Sequence, residues 1–119
     1  MELTVIGKYR ALVIRPDDEL DQHSAENIRT EADRLLKKTG LCNVVFDMRN
    51  VRFMDSSGIG VIMGRYRTVC TMGGVVAICG MNSLIDRVVQ MSGLRDIVII
   101  ADRLQNALEE VLSVCLKTV

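Results

Sequence analysis

Two adjacent serines, Ser56 and Ser57, have the sequence surroundings that most clearly indicate chemistry. They follow Asp55 and precede Gly58, and apolar residues recur at helical spacing from Ile59 onward. A serine at the start of a helix can act as an N-cap by accepting a hydrogen bond from a backbone N–H group. A cap needs only one hydroxyl, and glycines let another surface approach the backbone closely. The pattern therefore predicts a role beyond capping.

Two kinds of enzyme are remote alternatives for this segment. A nucleophilic serine needs a base, usually a histidine, and His23 is the only histidine in the chain. A nucleotide or serine hydrolase would use Ser56 and His23, but the local residues do not form Gly-x-Ser-x-Gly. The Gly-x-x-x-x-Gly-Lys-Ser/Thr phosphate loop is also absent.

A two-component receiver domain is a third alternative. It would hold Mg²⁺ with Asp17, Asp18 and either Asp47 or Asp55. A lysine is expected after its last strand, and here Asp102 stands in that region.

Phosphorylation of a serine is the remaining chemistry, and it adds about −1.5 to −2 charges at neutral pH. An acidic segment, residues 16–28, contains five carboxylates and no lysine or arginine. It predicts either a solvated turn or a docking surface for a basic partner. Beside Asp55 and near this acidic segment, a phosphate would meet like charge without an evident arginine clamp. Its main effect would then be to repel a docked partner.

Two further glycines, Gly60 and Gly64, share one face of the predicted serine helix. Each costs about 1 kcal/mol relative to alanine in a helix interior. Close packing of this face against a neighbour would explain that cost.

Strands and helices alternate along the chain in the order ββαβαβαβα. Predicted strands cover residues 2–6, 9–15, 42–48, 74–79 and 97–101, and predicted helices cover 24–38, 59–70, 83–91 and 104–115. This order predicts an α/β fold with a mixed, mostly parallel sheet, an N-terminal hairpin and packed helices. The loops at 17–23, 53–60 and 80–83 then meet at the carboxyl edge of the parallel strands, where sites usually form.

Composition limits the class of protein. The chain has 119 residues, 15 basic and 15 acidic, so residues 1–119 fit one domain without net charge. This balance argues against a dedicated nucleic-acid binder. The uncharged stretch at 68–85 is interrupted by glycines, so we expect a helix end, a turn and a buried strand there, not a membrane helix.

The N-terminal residues lack the features of a signal peptide, which predicts a cytoplasmic protein. The four cysteines form no Cys-x-x-Cys pair, so we expect reduced, small core residues. They are Cys42, Cys70, Cys79 and Cys115.

Residues 53–66, FMDSSGIGVIMGRY, resemble the Asp-Ser-Ser-Gly block and following helix of the STAS-domain anti-sigma factor antagonists. Residues 19–26 and 91–94 match as well, and the similarity, greatest to the sporulation branch of the family, covers essentially the whole chain. It implies a small, single-domain, non-enzymatic α/β protein with no catalytic residue, cofactor or metal.

The resemblance also implies a mechanism. The partner anti-sigma factor is an ATP-dependent serine kinase that phosphorylates Ser56, and a PP2C-type phosphatase removes the phosphate. The unphosphorylated form binds the anti-sigma factor and releases the sigma factor, without contacting DNA or a membrane. The implied partner-binding residues are Asp21, Asp55, Ser57, Gly58, Ile59 and Gly60.

One residue departs from the family pattern, because Asp18 stands where a glycine usually precedes Glu-Leu-Asp. This change predicts an altered loop shape or added charge next to Asp21. A general-stress anti-sigma antagonist and a scaffold subunit of a larger sensory assembly remain alternatives within the family.

Overall fold

A computed structural model describes residues 1–117 of the chain. The strands are β1 (Glu2–Ile6), β2 (Ala11–Arg15), β3 (Glu19–Leu20), β4 (Asn43–Asp47), β5 (Phe53–Met54), β6 (Val76–Cys79) and β7 (Ile99–Ala101). The helices are α1 (Gln22–Thr39), α2 (Ser56–Cys70), α3 (Ser83–Ser92) and α4 (Leu104–Lys117).

The main sheet has the spatial order β1-β2-β4-β6-β7. The first two strands form an antiparallel hairpin, and the other pairs are parallel. This confirms the predicted mixed, mostly parallel sheet. The two-residue strands β3 and β5 pair in parallel in a separate small sheet that the sequence did not predict.

Alternating residues of the strands pack on opposite faces of the sheet. Val44 and Phe46 belong to the core under α1, α2 and α3, whereas Val45 belongs to the core under α4. The α4 side uses small strand residues such as Ala11 and Ala77, which let one helix approach the sheet closely. Within residues 1–117, three helices therefore cover one face of the sheet and one helix covers the other.

Short 3₁₀ turns account for two of the differences between the predicted and observed strand boundaries. Tyr9 lies in the turn Gly7–Tyr9, and Arg10 then adopts a left-handed φ of 54°, so β2 begins only at Ala11. The turn Leu94–Asp96 likewise delays the last strand, which begins at Ile99 and not at residue 97.

The uncharged stretch at 68–85 contains the end of α2, a turn and buried β6, as predicted. Among residues 1–117, no helix has the length and apolar character needed to cross a membrane. Cys79 and Cys115 are buried as expected, but Cys70 is exposed at the end of α2, so that part of the prediction is wrong.

Candidate functional site

The small sheet β3–β5 joins the acidic segment to the serine loop. Leu20 pairs with Met54, and the backbone N–H of Arg52 donates a 2.7 Å hydrogen bond to the carbonyl of Asp18. The two loops therefore lie side by side, as the parallel topology predicts. Backbone hydrogen bonds fix their positions independently of the side chains that face solvent.

An aspartate follows each strand of the small sheet and caps the next helix. The carboxylate of Asp21 accepts a hydrogen bond from the Ser24 backbone N–H at 3.0 Å, and the Ser24 hydroxyl accepts one from the Asp21 N–H at 2.9 Å. Asp55 accepts from the backbone N–H of Ser57 at 2.8 Å. A serine cap is therefore not needed at α2, because the carboxylate of Asp55 performs that role.

The two serines occupy different environments. Ser56 is the first residue of α2 and is exposed, and its hydroxyl has no hydrogen-bond partner among residues 1–117. Ser57 is half-buried and lines a groove between α1 and α2. Neither hydroxyl makes a hydrogen bond in residues 1–117, so the two serines differ in exposure, and the Ser56 hydroxyl is the one at the surface.

Gly58 is buried beneath this loop, and its lack of a side chain is required by packing within the chain. A Cβ atom at this position would lie 2.3 Å from Cγ of Met54 and 3.0 Å from Cγ of Leu20. The surface that approaches Gly58 is therefore the chain's own small sheet. Gly60 has nothing within 4 Å of an added Cβ, and Ile59 packs only partly on the core.

The third loop at this edge is also tied to the serine loop. Asn82 caps α3 by accepting a 2.8 Å hydrogen bond from the Ile85 N–H, and its side-chain amide donates to the carbonyl of Val51 at 3.2 Å. A cap near residue 82 was predictable, but the second bond depends on the tertiary fold. It fixes the chain that leads into β5.

Asp47 is a buried carboxylate at the carboxyl end of β4 that the sequence did not single out as a structural centre. It accepts hydrogen bonds from Arg15 Nε at 3.0 Å and Arg49 Nε at 3.1 Å. Asp17 instead pairs with the N-terminal amino group at 2.8 Å. The acidic cluster of a receiver domain is therefore not formed, and no group of three potential metal ligands occurs within the described chain.

His23 is exposed in the first turn of α1. Across residues 1–117, it makes no hydrogen bond to Ser56 or Ser57. The serine–histidine pair that a hydrolase would need is not present in this arrangement.

The Asp21 cap makes the stability of α1 depend on pH. Hydrogen bonds from the Ser24 backbone and hydroxyl hold the pKa of the Asp21 carboxyl below its ordinary value of 3.8. Because the folded pKa is the lower one, the stabilisation is present above the unfolded pKa and is lost as the pH falls through the folded pKa. We expect the difference in unfolding free energy between wild type and Asp21→Ala to shrink below about pH 4.

Urea unfolding of both proteins at a series of pH values measures this difference. A difference that stays constant from neutral pH down to about pH 2 would contradict the assigned role of the carboxylate.

The fold agrees with comparisons to known proteins. The family model of the STAS domain matches residues 2–110, so the chain belongs to the STAS domain family. It is 39% identical over 99 residues to the anti-sigma F factor antagonist of Paenibacillus polymyxa, covering 83% of this chain and 85% of that relative. Within the STAS family, the chain therefore belongs to the anti-sigma factor antagonists, which are non-enzymatic regulators.

Two further similarities are more distant. The chain is 25% identical over 91 residues to the anti-sigma-B factor antagonist of Bacillus subtilis, covering 76% of this chain and 82% of that protein. The structure of the Bacillus cell fate determinant SpoIIAA in its phosphorylated form superposes with a TM-score of 0.72 at 27% identity. That match covers 92% of this chain and 97% of the other.

Proposed function

We propose that the unphosphorylated chain binds an anti-sigma factor that is also an ATP-dependent serine kinase, and so releases a sigma factor for sporulation transcription. Phosphorylation of Ser56 by this partner ends the binding, and a PP2C-type phosphatase restores it. The chain acts in the cytoplasm as a single domain over residues 1–119. It contacts neither nucleic acid nor a membrane.

The observation that carries this proposal is the exposed, unbonded hydroxyl of Ser56. Because Asp55 caps α2, the hydroxyl can enter a kinase active site without loss of a hydrogen bond that holds the helix. Ser57 is less suited, since it is half-buried beside α1. The similarity to a structure described as phosphorylated is consistent with this assignment.

The surroundings of Ser56 suit a partner that offers both basic and apolar contacts. Asp21 and Asp55 supply negative charge at the starts of α1 and α2. Phe53 is 49% exposed and Ile59 is half-buried, so apolar surface lies in the same loop. These residues, with Ser57 and Gly60, form the proposed contact surface, and Gly58 supports it from below.

Asp18 is compatible with this surface although the family usually has glycine there. Its φ is not positive, and the interaction that pairs β3 with β5 uses its backbone carbonyl. Any residue can supply that carbonyl, so the small sheet does not depend on glycine. The exposed carboxylate adds one negative charge to the acidic segment.

A phosphate on Ser56 acts on the partner and not on the fold. At the first residue of a helix, negative charge interacts favourably with the helix dipole. The same charge adds to the negative charge that Asp55 and the acidic segment already place on this surface. A partner that approaches this edge with its own phosphates or carboxylates then meets like charge, which disfavours binding.

The sporulation pathway is supported by the 39% identity to an anti-sigma F antagonist, compared with 25% to an anti-sigma-B antagonist. A general-stress role is the alternative. Binding of the purified chain to the two kinds of anti-sigma factor, measured side by side, discriminates between them. Stable high-order oligomers in light scattering would instead favour a scaffold subunit.

Intact-mass analysis after incubation with the cognate anti-sigma factor and ATP tests the phosphorylation step. We expect one phosphate on the wild-type chain and on Ser57→Ala, and none on Ser56→Ala. Ser57→Ala is a matched control because it removes the neighbouring hydroxyl. A phosphate on Ser57 alone, or no phosphate at all, would overturn the assignment of Ser56.

A further inference from the structure

A groove of about 360 Å³ lies between α1 and α2 and begins beside the serine loop. We call it the α1–α2 groove. Its lining includes Gln22, Glu26, Ser57, Gly60, Gly64 and Arg65. The residues contributed by α2 recur at spacings of three and four, so they form one face of that helix.

Gly60 and Gly64 keep this groove open along α2. An added Cβ at either position would have nothing within 4 Å. The two glycines predict a closely packed neighbour on this face of α2. No such neighbour lies in the described part of the chain. Glycine is the least favourable residue after proline in a helix interior, so the packing of this chain alone does not account for two of them.

Arg65 lies at the far end of the groove and is incompletely satisfied. Its side chain is only 6% exposed, and its Nε lies 3.1 Å from Oδ1 of Asp33 without the geometry of a hydrogen bond. Its Nη1 atom is buried without any hydrogen-bond partner in residues 1–117. Burial lowers the pKa of the Arg65 guanidinium, although Asp33 opposes the shift. A buried donor without an acceptor is costly, so an acceptor that reaches the Arg65 guanidinium from the groove is favoured.

The other arginine of the groove is already paired. Arg29 donates to Glu26 at 2.8 Å, and both side chains are exposed. The available donor is therefore Arg65, and a carboxylate is the acceptor that matches a guanidinium best.

We propose that the α1–α2 groove receives an extended segment of the anti-sigma factor, and that a carboxylate side chain of this segment accepts a hydrogen bond from the guanidinium group of Arg65. This inference rests on the proposed function, because a partner docked at Ser56 already stands at the mouth of the groove. The open backbone at Gly60 and Gly64 lets the main chain of the segment lie directly against α2.

The geometry also sets the spacing of the segment. Ser57 and Arg65 are eight residues apart, which is about 12 Å along a helix axis. An extended chain covers this distance in about four residues. The acidic residue of the partner therefore lies about four residues from the position that contacts Ser57.

Binding of the purified anti-sigma factor to matched methionine variants tests the inference. Gly64→Met fills the groove, Arg65→Met removes the donor but keeps the apolar stem, and Arg67→Met places the same side chain at an exposed position of α2. We expect the first two to weaken binding by about tenfold or more, and the third to change it less than about twofold. Gly64→Met should melt at a higher temperature than wild type, since methionine is a better helix former.

The outcomes separate this inference from the proposed function. If wild type binds and Ser56→Asp does not, but Gly64→Met binds like wild type, the groove is not occupied and the inference is wrong. A loss confined to Arg65→Met also overturns it, because Arg65 would then act only through packing within the chain. If the wild-type chain binds no anti-sigma factor, both proposals fail.

Discussion

Ser56→Asp is expected to bind the anti-sigma factor about thirtyfold or more weakly than wild type, whereas Ser56→Ala retains wild-type affinity. The hydroxyl makes no hydrogen bond within residues 1–117, so its removal leaves no unpaired group in the chain. The aspartate, in contrast, adds negative charge to the edge of the sheet that faces the partner's own phosphates or carboxylates. Like charges placed together in an interface cost several kcal/mol, and each 1.4 kcal/mol is tenfold in affinity.

The Ser56→Asp variant should remain folded, which makes the binding result interpretable. Negative charge in the first turn of a helix is favourable, so thermal unfolding should be unchanged or slightly raised. Ser113→Asp is the matched control, because Ser113 is exposed on α4, which covers the opposite face of the sheet. Isothermal titration with the anti-sigma factor measures all variants. Equal weakening by both aspartates, or by neither, would contradict a switch at Ser56.

The charge around the serine loop describes the proposed contact surface better than the net charge of zero for the whole chain does. Arg65 pairs with Asp33 beside α1, and Arg49 pairs with Asp47 at the end of β4. Each of these cations therefore has a carboxylate of the chain beside it, although Nη1 of Arg65 has no hydrogen-bond partner in residues 1–117. The acidic segment beside the serine loop is correspondingly less compensated than the sequence total indicates.

The helices and main strands were predictable because their apolar residues repeat over many positions. The small sheet was not, since the two residues of β3 and the two of β5 are too few to show a period. The capping residue of α2 was not predictable either, because Asp55 and Ser56 are both good N-caps and are adjacent. Only the backbone path out of β5 decides between them.

Arg65 illustrates a signal that was present in the sequence but is easily overlooked. It lies four residues after Val61 and four before Val69, which places it on the buried face of α2. An arginine in an apolar stripe predicts a buried ion pair or a binding role. The identity of its partner, Asp33 on α1, depends on how the two helices pack and is not available from periodicity.

Two glycines of α2 should respond to alanine in opposite directions. In Gly60→Ala the new methyl meets open space, so we expect about 0.5–1 kcal/mol of stabilisation from improved helix propensity. In Gly58→Ala the methyl would lie 2.3 Å from Met54 Cγ, so we expect about 1–3 kcal/mol of destabilisation from overpacking. Urea unfolding of the two variants, which differ by two positions in one helix, measures the contrast.

A double-mutant cycle with Met54→Ala identifies the cause. Removing the Met54 side chain beyond Cβ eliminates the two shortest contacts and leaves Leu20 Cγ at 3.0 Å, so the Gly58→Ala/Met54→Ala protein should be more stable than the sum of the single effects predicts. Additive effects, or stabilisation by Gly58→Ala alone, would contradict the packing role of Gly58. The interaction energy between positions 54 and 58 also bears on the serine loop, because Met54 belongs to the strand that directly precedes Asp55 and Ser56. A clash that displaces β5 should therefore weaken both the capping of α2 and the binding of the anti-sigma factor.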